Sequence, residues 1–367
     1  MKRDRDPDIT VLIIDDSAAN RRAISHILET APGIRVVDRA ADGEEGLKKA
    51  IALRPDVITL DLEMPRLDGY TFLRLLMSQR PTPVIVLSSY GHPSDVFKAL
   101  QLGAFDFVAK PGQGGRESLT AVRAELIEKV RSARFARRDE PAAAPKEKER
   151  ARPTRDREPP KPEPARPLLV AVGASTGGPP AVQKLLESLA GLPVCVLVAQ
   201  HMPPRFTDAF ADRLDQALAL KVTEAKPGDV VAPGRVFIAP GGEQLEVHER
   251  AGAWVLAVKP SVPADKHAPS VDRLFASVAK TVGAQAFGVV LTGMGNDGAE
   301  GVRALAKVGA QIWAEAESSA VVNGMPAAAI ATGAVKHVLA LDELGPHLAR
   351  TLKAVAVHTE RSRGGPE

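Results

Sequence analysis

Two α/β domains, each built around a mainly parallel sheet, are predicted for this 367-residue chain by three observations. Short apolar runs alternate with amphipathic stretches in both halves, which places helices between strands and requires a parallel sheet covered on its faces. Between the halves, Arg137 to Pro167 holds ten basic residues, seven acidic residues and eight prolines, with almost no large apolar side chain. Such a segment cannot bury enough surface to offset its ordering entropy, so it reads as a disordered, partly extended linker. The length completes the argument, because the segments on either side, of about 120 and 190 residues, are each of ordinary domain size.

The elements follow in order. Ahead of the linker the strand runs are TVLII (10–14), IRVVD (34–38), DVITL (56–60), PVIVL (83–87) and FDFVA (105–109). Helical stretches cover 18–30, 43–53, 69–79, 94–102 and about 117–135, giving five βα units in succession. After the linker come the strand LLVAVGAS, a helix over 178–190, VCVLVAQH, RVFIAP and a hairpin over 243–259. A helix over 270–281, the strand FGVVLTG, a helix over 298–308 and the strand QIWAE complete the reading. The expected boundaries are 8–130 for the first domain, 131–167 for the linker and 168–356 for the second domain.

Composition narrows the function. The net charge is +3, and the linker alone carries a net +3, so the domains are close to neutral and lack the basic face of a nucleic-acid binder. No apolar run approaches the roughly 20 residues that span a bilayer, and MKRDRDPD has no signal-peptide core, so a cytoplasmic protein without direct membrane insertion is expected. The single cysteine, Cys195, excludes an internal disulfide framework and reads as a buried strand residue.

In open parallel sheets, functional groups collect where strands end at their carboxyl edge. Asp15 and Asp16 follow the first strand, Asp61 the third, Ser88 the fourth and Lys110 the fifth. Three clustered carboxylates repel one another unless a cation is present, and oxygen donors of this kind suit Mg²⁺. Lys110 and Ser88 would then bind the oxygens of a phosphoryl group carried by Asp61. Taken singly each has an ordinary alternative: Asp16 or Ser17 as a helix cap, Asp61 as part of a turn, Lys110 as a solvated loop residue. Five such residues on one sheet edge argue for the phosphoryl site.

In the second half, Gly173 to Gly178 (GASTGG) joins a strand directly to a helix signal. Glycines around a serine at such a turn expose a nucleophilic hydroxyl, and the helix N-terminus favours a developing oxyanion. Ser175 needs a base and an orienting carboxylate; His201 ends the next strand and Asp297 follows a third, so the three converge on one edge. His267 is the rival base; the other histidines read as surface or core residues. A phosphate-binding loop is the competing reading of GASTGG, but it lacks the G-x-G-x-x-G spacing and the acidic residue that should follow. The order serine, histidine, aspartate also disfavours a conventional α/β-hydrolase.

The segments IIDDSAANR, LDLEMPRLDG, LSS and FVAKP resemble the flavodoxin-like (βα)5 receiver domain of two-component response regulators. That resemblance implies phosphorylation at Asp61, Mg²⁺ held by Asp15, Asp16, Asp61 and the backbone carbonyl of Glu63, phosphoryl sensing by Ser88 and Lys110, and a switch aromatic at Phe107. Ser89 stands where receivers most often have alanine. The segments VAVGASTGGPPAV, AQHMPPRFTDAFADRL, GRVFIAPGGEQLEV, APSVDRLFASVA and LTGMGNDGAEGVRALAKVGA resemble the catalytic domain of chemotaxis protein-glutamate methylesterases, a doubly wound, mainly parallel hydrolytic fold with an antiparallel hairpin. It implies Ser175 as nucleophile, His201 as base and acid, Asp297 as orienting carboxylate, and Thr176 with the Met294 backbone as oxyanion contributors.

The expected function is therefore a phosphorylation-activated hydrolase that demethylates glutamate γ-methyl esters of methyl-accepting chemoreceptors and deamidates receptor glutamines. Its expected phosphodonor is a chemotaxis histidine kinase, and hydrolysis itself needs no cofactor. The resemblance also implies that the unphosphorylated receiver covers the active site. The alternative is a regulatory binding module whose second domain holds a nucleotide or partner without chemistry.

Overall fold

Val57 to Asp61 is buried at all five positions, as a strand sandwiched between helix layers must be. It is the centre of the first unit of a computed structural model that describes residues 8–88, 93–110, 116–134 and 167–363. The described residues divide into two units. Here β1 (Ile9–Ile14), β2 (Ile34–Ala40), β3 (Val57–Asp61), β4 (Val84–Ser88) and β5 (Asp106–Ala109) form an all-parallel sheet in the order β2-β1-β3-β4-β5. The connecting helices are α1 (Ala18–Glu29), α2 (Gly43–Leu53), α3 (Gly69–Gln79), α4 (Pro93–Gln101) and α5 (Arg116–Ala133). Ser17, Asp42 and Asp68 cap α1, α2 and α3, accepting N–H groups that no intrahelical carbonyl reaches. Strand order reverses beside β1, so the ends of β1 and β3 flank the crevice where such sheets place their sites.

The second unit begins with β6 (Leu168–Ala174), α6 (Gly178–Leu189), β7 (Val194–Gln200), α7 (Phe206–Ala217), β8 (Lys221–Glu224) and β9 (Arg235–Ile238). It continues through β10 (Glu243–Arg250), β11 (Ala253–Pro260), α8 (Val271–Val282), β12 (Ala286–Val290), α9 (Ala299–Lys307) and β13 (Gln311–Glu315). It ends with α10 (Gly324–Ile330), β14 (His337–Leu339) and α11 (Leu341–Arg363). Seven strands form a parallel sheet ordered β14-β13-β12-β6-β7-β9-β8, and β10 and β11 form the separate antiparallel hairpin that the sequence indicated. The hairpin's Leu245, Val247, Trp254 and Leu256 share one core with Val271, Leu274, Phe275 and Val278 of α8. Each such side chain contributes about 1.5–3 kcal/mol by burial, so the hairpin holds α8 in place.

The sequence reading lacked α7, β8, α10, β14 and α11. The pattern for α7 is present, since Phe206, Phe210 and Leu214 recur every four residues and all are buried. By contrast β14 is three residues long with no buried position, and α10 is a seven-residue helix containing glycine and proline, so neither produces a periodic signal. The linker over 137–167 lies outside the described residues apart from Pro167, as do Ser89 and His92. Helix α5 runs to Ala133, with Leu126, Val130 and Ala133 buried. Cys195 is fully buried in β7, and burial pushes its thiol up to about 12, so the reactive thiolate is negligible near neutral pH.

Candidate active site

β6 is the switch point of the seven-stranded sheet: β7, its successor, lies on one side and β12, reached after a long excursion, on the other. The ends of these three strands bring the second unit's chemistry together. Ala174 pairs with Gln200, and the His201 N–H donates to the Ala174 carbonyl at 3.0 Å, so Ser175 and His201 leave adjacent strand ends. The Ser175 N–H donates to the Thr292 carbonyl at 3.0 Å, tying the serine to the end of β12. Gly177 opens α6 at φ 74, the left-handed conformation that glycine adopts without strain, and this bends the chain from strand to helix directly after Ser175. Gly293 lies against the serine so closely that a Cβ there would sit 2.8 Å from Ser175 Cβ. A side chain at 293 would push the hydroxyl aside.

Asp297 Oδ2 lies 2.8 Å from His201 Nε2. Accepting there leaves Nδ1 as the nitrogen free to act as base, the reverse of the assignment in serine proteases. The carboxylate also accepts the N–H groups of Val271 (2.8 Å) and Asp272 (2.9 Å) and the Ser270 hydroxyl (3.1 Å). These belong to the N-terminus of α8, where unpaired N–H groups and the helix dipole favour an anion. Burial opposes the charge of Asp297, but the His201 contact and the two N–H groups outweigh it and hold the carboxyl far below its usual range.

Three neighbours were missed by sequence reasoning. Asp272 reciprocates the cap: its Oδ1 accepts from Gly298 at 2.9 Å and Gly301 at 2.7 Å, at the start of α9, so α8 and α9 exchange carboxylates across the site. Burial raises its pKa, the N–H of Gly301 works against this, and the nearby Asp297 charge adds to it. Gln200 is buried and donates to the carbonyls of Ser175 (2.9 Å) and His201 (3.2 Å), joining those two residues through their backbones. Glu315 is fully buried and accepts from the Thr292 N–H at 2.8 Å and the Ser319 hydroxyl at 2.9 Å, fixing the residue that anchors Ser175. Burial raises its pKa against those two bonds. No motif announces these residues, because each ties the site together through at least one partner more than twenty residues away.

His267, the rival base, is in the site. Its ring stacks on His201 with centroids 4.4 Å apart and planes 5° apart, while Asp297 pairs with His201. Burial, followed by the neighbouring His201, lowers its pKa, so it is neutral near pH 7. Thr176 is buried, its carbonyl accepting from the Thr292 hydroxyl at 2.9 Å, and Met294 is half-buried in the loop before Asp297.

In the first unit, Lys110 Nζ lies 2.5 Å from Asp61 Oδ2 and 3.1 Å from Asp15 Oδ2. Asp15 and Asp61 are buried and Asp16 is exposed; oxygen atoms of the three lie within 4.8 Å of one another. A cavity of about 180 Å³ is lined by Asp16, Asp61, Glu63, Ser88 and Lys110 among others. Burial raises the pKa of Asp61, Lys110 opposes this and Asp15 adds to it. Converging carboxylate oxygens beside a small polar cavity fit a hard cation such as Mg²⁺. Phe107 is buried one strand pair away from this edge, its ring 5.0 Å from the ammonium of Lys129 and its carbonyl accepting from it.

Residues 170–348 match the family model described as CheB methylesterase, and residues 11–122 match the response regulator receiver domain. Protein-glutamate methylesterase/protein-glutamine glutaminase 1 of Myxococcus xanthus is 60% identical over 342 residues, covering 93% of this chain and 96% of that one. A homologous protein of the same name, numbered 6, from Anaeromyxobacter dehalogenans is 50% identical over 345 residues, covering 93% and 95%. The crystal structure of the Thermotoga maritima CheB methylesterase catalytic domain is 34% identical, with a TM-score of 0.49, covering 51% of this chain and 100% of that one.

Proposed function

The chain belongs to the CheB methylesterase family with a response regulator receiver domain ahead of the catalytic one, and from that premise we propose that it removes methyl esters from glutamates of chemoreceptors under phosphorylation control. The observation that carries the reading is the 2.8 Å contact between His201 and Asp297 beside the strand end that bears Ser175.

Ser175 Oγ attacks the ester carbonyl while His201 Nδ1 takes its proton, and Asp297 holds the ring by Nε2–H and stabilises the imidazolium that forms. The Thr176 and Met294 backbones receive the oxyanion. Methoxide leaves as methanol with the proton from His201, and water, deprotonated by the same ring, cleaves the glutamyl ester to restore glutamate and Ser175. A glutamine substrate follows the same course with ammonia as the leaving group, so deamidation needs no additional residue.

In the receiver, Asp61 takes the phosphoryl group from a chemotaxis histidine kinase. Mg²⁺, when bound, neutralises the phosphoryl oxygens during transfer. Asp15, Asp16, Asp61 and the Glu63 carbonyl would hold it. Lys110 and Ser88 bind the transferred group's oxygens, and Phe107 reports its arrival. No helix among the described residues is long and apolar enough to cross a membrane. The proposed place of action is the cytoplasm, on the receptors' cytoplasmic helices.

Two measurements test this. Methanol release from methylated receptor should vanish in Ser175→Ala, and covalent labelling by a fluorophosphonate should vanish with it; release that survives the substitution refutes the nucleophile. Acetyl phosphate with Mg²⁺ should place one acid-labile phosphoryl group on the chain, absent in Asp61→Asn.

A further inference from the structure

His267 lies within the active site, yet the hydrolytic cycle gives it nothing to do. One nitrogen of His267, one of His201 and a carboxylate oxygen of Asp297 lie within 4.8 Å of one another. We propose that these three side chains form a binding site for a divalent transition metal, Zn²⁺ being the expected occupant, and that the bound metal switches hydrolysis off. The inhibitory half rests on the esterase reading above; the metal site does not.

The donor set is the first argument. Two imidazoles and one carboxylate are a recurrent three-ligand set for Zn²⁺, with the fourth position left to water. Imidazole ligands favour Zn²⁺, Cu²⁺ and Ni²⁺ over Mg²⁺, whereas the oxygen-only cluster of Asp15, Asp16 and Asp61 has the opposite preference, so the two sites select different ions.

Orientation is the second. Val271, Asp272 and Ser270 already fix the Asp297 carboxylate with three hydrogen bonds, the outer support that metal-binding carboxylates usually require. The His267 backbone is also held, its carbonyl accepting from Gln244 Nε2 at 2.7 Å. Among the described residues its ring is held by its stack on His201. The nitrogen lone pair lies in the imidazole plane, so those of two parallel stacked rings do not converge on one ion, and coordination requires the His267 ring to turn about its own side-chain bonds until its lone pair meets that of His201. The metal displaces the hydrogen bond between His201 and Asp297 and bridges the same two atoms.

The chemical consequence is definite. When the metal takes the lone pair of His201 Nε2, the ring's single proton shifts, by exchange through solvent, from Nε2 to Nδ1, and the neutral ring carries it there. A protonated Nδ1 cannot accept the proton of Ser175, so the serine stays un-ionised and the ester is not attacked.

The test uses the full chain in excess Mg²⁺, which fills the receiver site and leaves the imidazoles alone. Co²⁺, a spectroscopic substitute for Zn²⁺, should bind at one equivalent with the visible absorption of a tetrahedral site, and Zn²⁺ should displace it. His267→Ala should weaken Co²⁺ binding about tenfold or more. It should raise by the same factor the Zn²⁺ concentration that halves methanol release, each protein being compared with its own metal-free rate, and EDTA should restore the rate. His267→Gln, which keeps much of the side-chain volume, serves if the alanine variant does not fold. Absence of the Co²⁺ spectrum, or equal affinity with and without His267, overturns the site. A chain that binds Co²⁺ through His267 but releases no methanol keeps the metal site and refutes the esterase reading, so the two failures are distinct.

Discussion

Asp61 and Asp297 follow strands of two similar parallel sheets, and both are buried, yet their acidities move in opposite directions. Burial raises both. For Asp61 the opposing partner is the Lys110 ammonium, and Asp15 adds its own negative charge, so the net shift is upward. For Asp297 the opposing partners are His201 and two backbone N–H groups of α8, and the net shift is strongly downward. The partners differ in kind: a lysine side chain can turn toward an incoming group, whereas helix amides cannot leave. An under-compensated carboxylate suits a phosphoryl acceptor that must gather a cation. A fully satisfied one suits an anchor that holds an imidazole through every turnover.

That contrast can be broken first at Ser175, the proposed nucleophile. Ser175→Ala and His201→Ala should each lower methanol release by about 10⁶-fold if the triad behaves as in subtilisin, and the double variant should add little. Additive losses would mean that the residues do not act as a unit.

Asp297→Asn tests the anchor itself. An amide cannot enforce the same imidazole tautomer, so about 10⁴-fold should be lost from kcat. Stability supplies the sign. A carboxyl depressed in the folded state stabilises the fold fully above its unfolded value near 3.8 and loses that contribution as pH falls through the folded value. The stability gap between the parent chain and Asp297→Asn should therefore be constant above about pH 5 and shrink below about pH 4. Asp61 has the opposite sign: its charged form costs stability above its raised folded value, and the cost fades as pH falls through that value towards 3.8. Denaturant unfolding across that pH range measures both.

Coupling between the two halves comes next. Domains joined by a flexible linker of tens of residues generally meet at an effective concentration on the order of millimolar, so under the linker reading of the sequence a weak restraint would suffice. A chain beginning near Arg166 should release methanol faster than the unphosphorylated full chain, and phosphorylation should raise the full chain's rate, tenfold for each ~1.4 kcal/mol of shifted restraint. Equal rates for the two chains would exclude restraint by the receiver.

The smallest effect sharpens the picture of the anchor. Asp272 acts on Asp297 by fixing the start of α9, through acceptor atoms alone. Asp272→Ala should cost about 1–2 kcal/mol of stability and lower kcat, while Asp272→Asn, which keeps an acceptor oxygen, should restore most of both. If Asn is as harmful as Ala, the negative charge matters and the capping account fails.

The five strand-end residues of the first half and the three of the second were legible because each follows an apolar run, and a parallel sheet gathers the ends of such runs on one edge. The stacking of His267, the exchanged caps of Asp272 and Asp297, and the buried support of Gln200 and Glu315 were not. Their partners lie 25 to 29 residues away for Asp272, and 23 for Glu315 and Thr292. No local period connects such pairs.

The sequence by itself determined most of the strands and helices, though not α7, β8, α10, β14 or α11, that Ser175, His201 and Asp297 stand at or beyond strand ends, and that Asp61 stands among other charged groups. These follow from side-chain periodicity and turn chemistry, which act over a few residues. Only the tertiary structure decided that β12 lies beside β6, that α8 directs its N-terminus at Asp297, and that His201 turns Nε2 rather than Nδ1 to that carboxylate. Strand order and helix direction are set by how apolar faces from distant segments pack into one core, and that packing decides which donors reach a buried carboxylate.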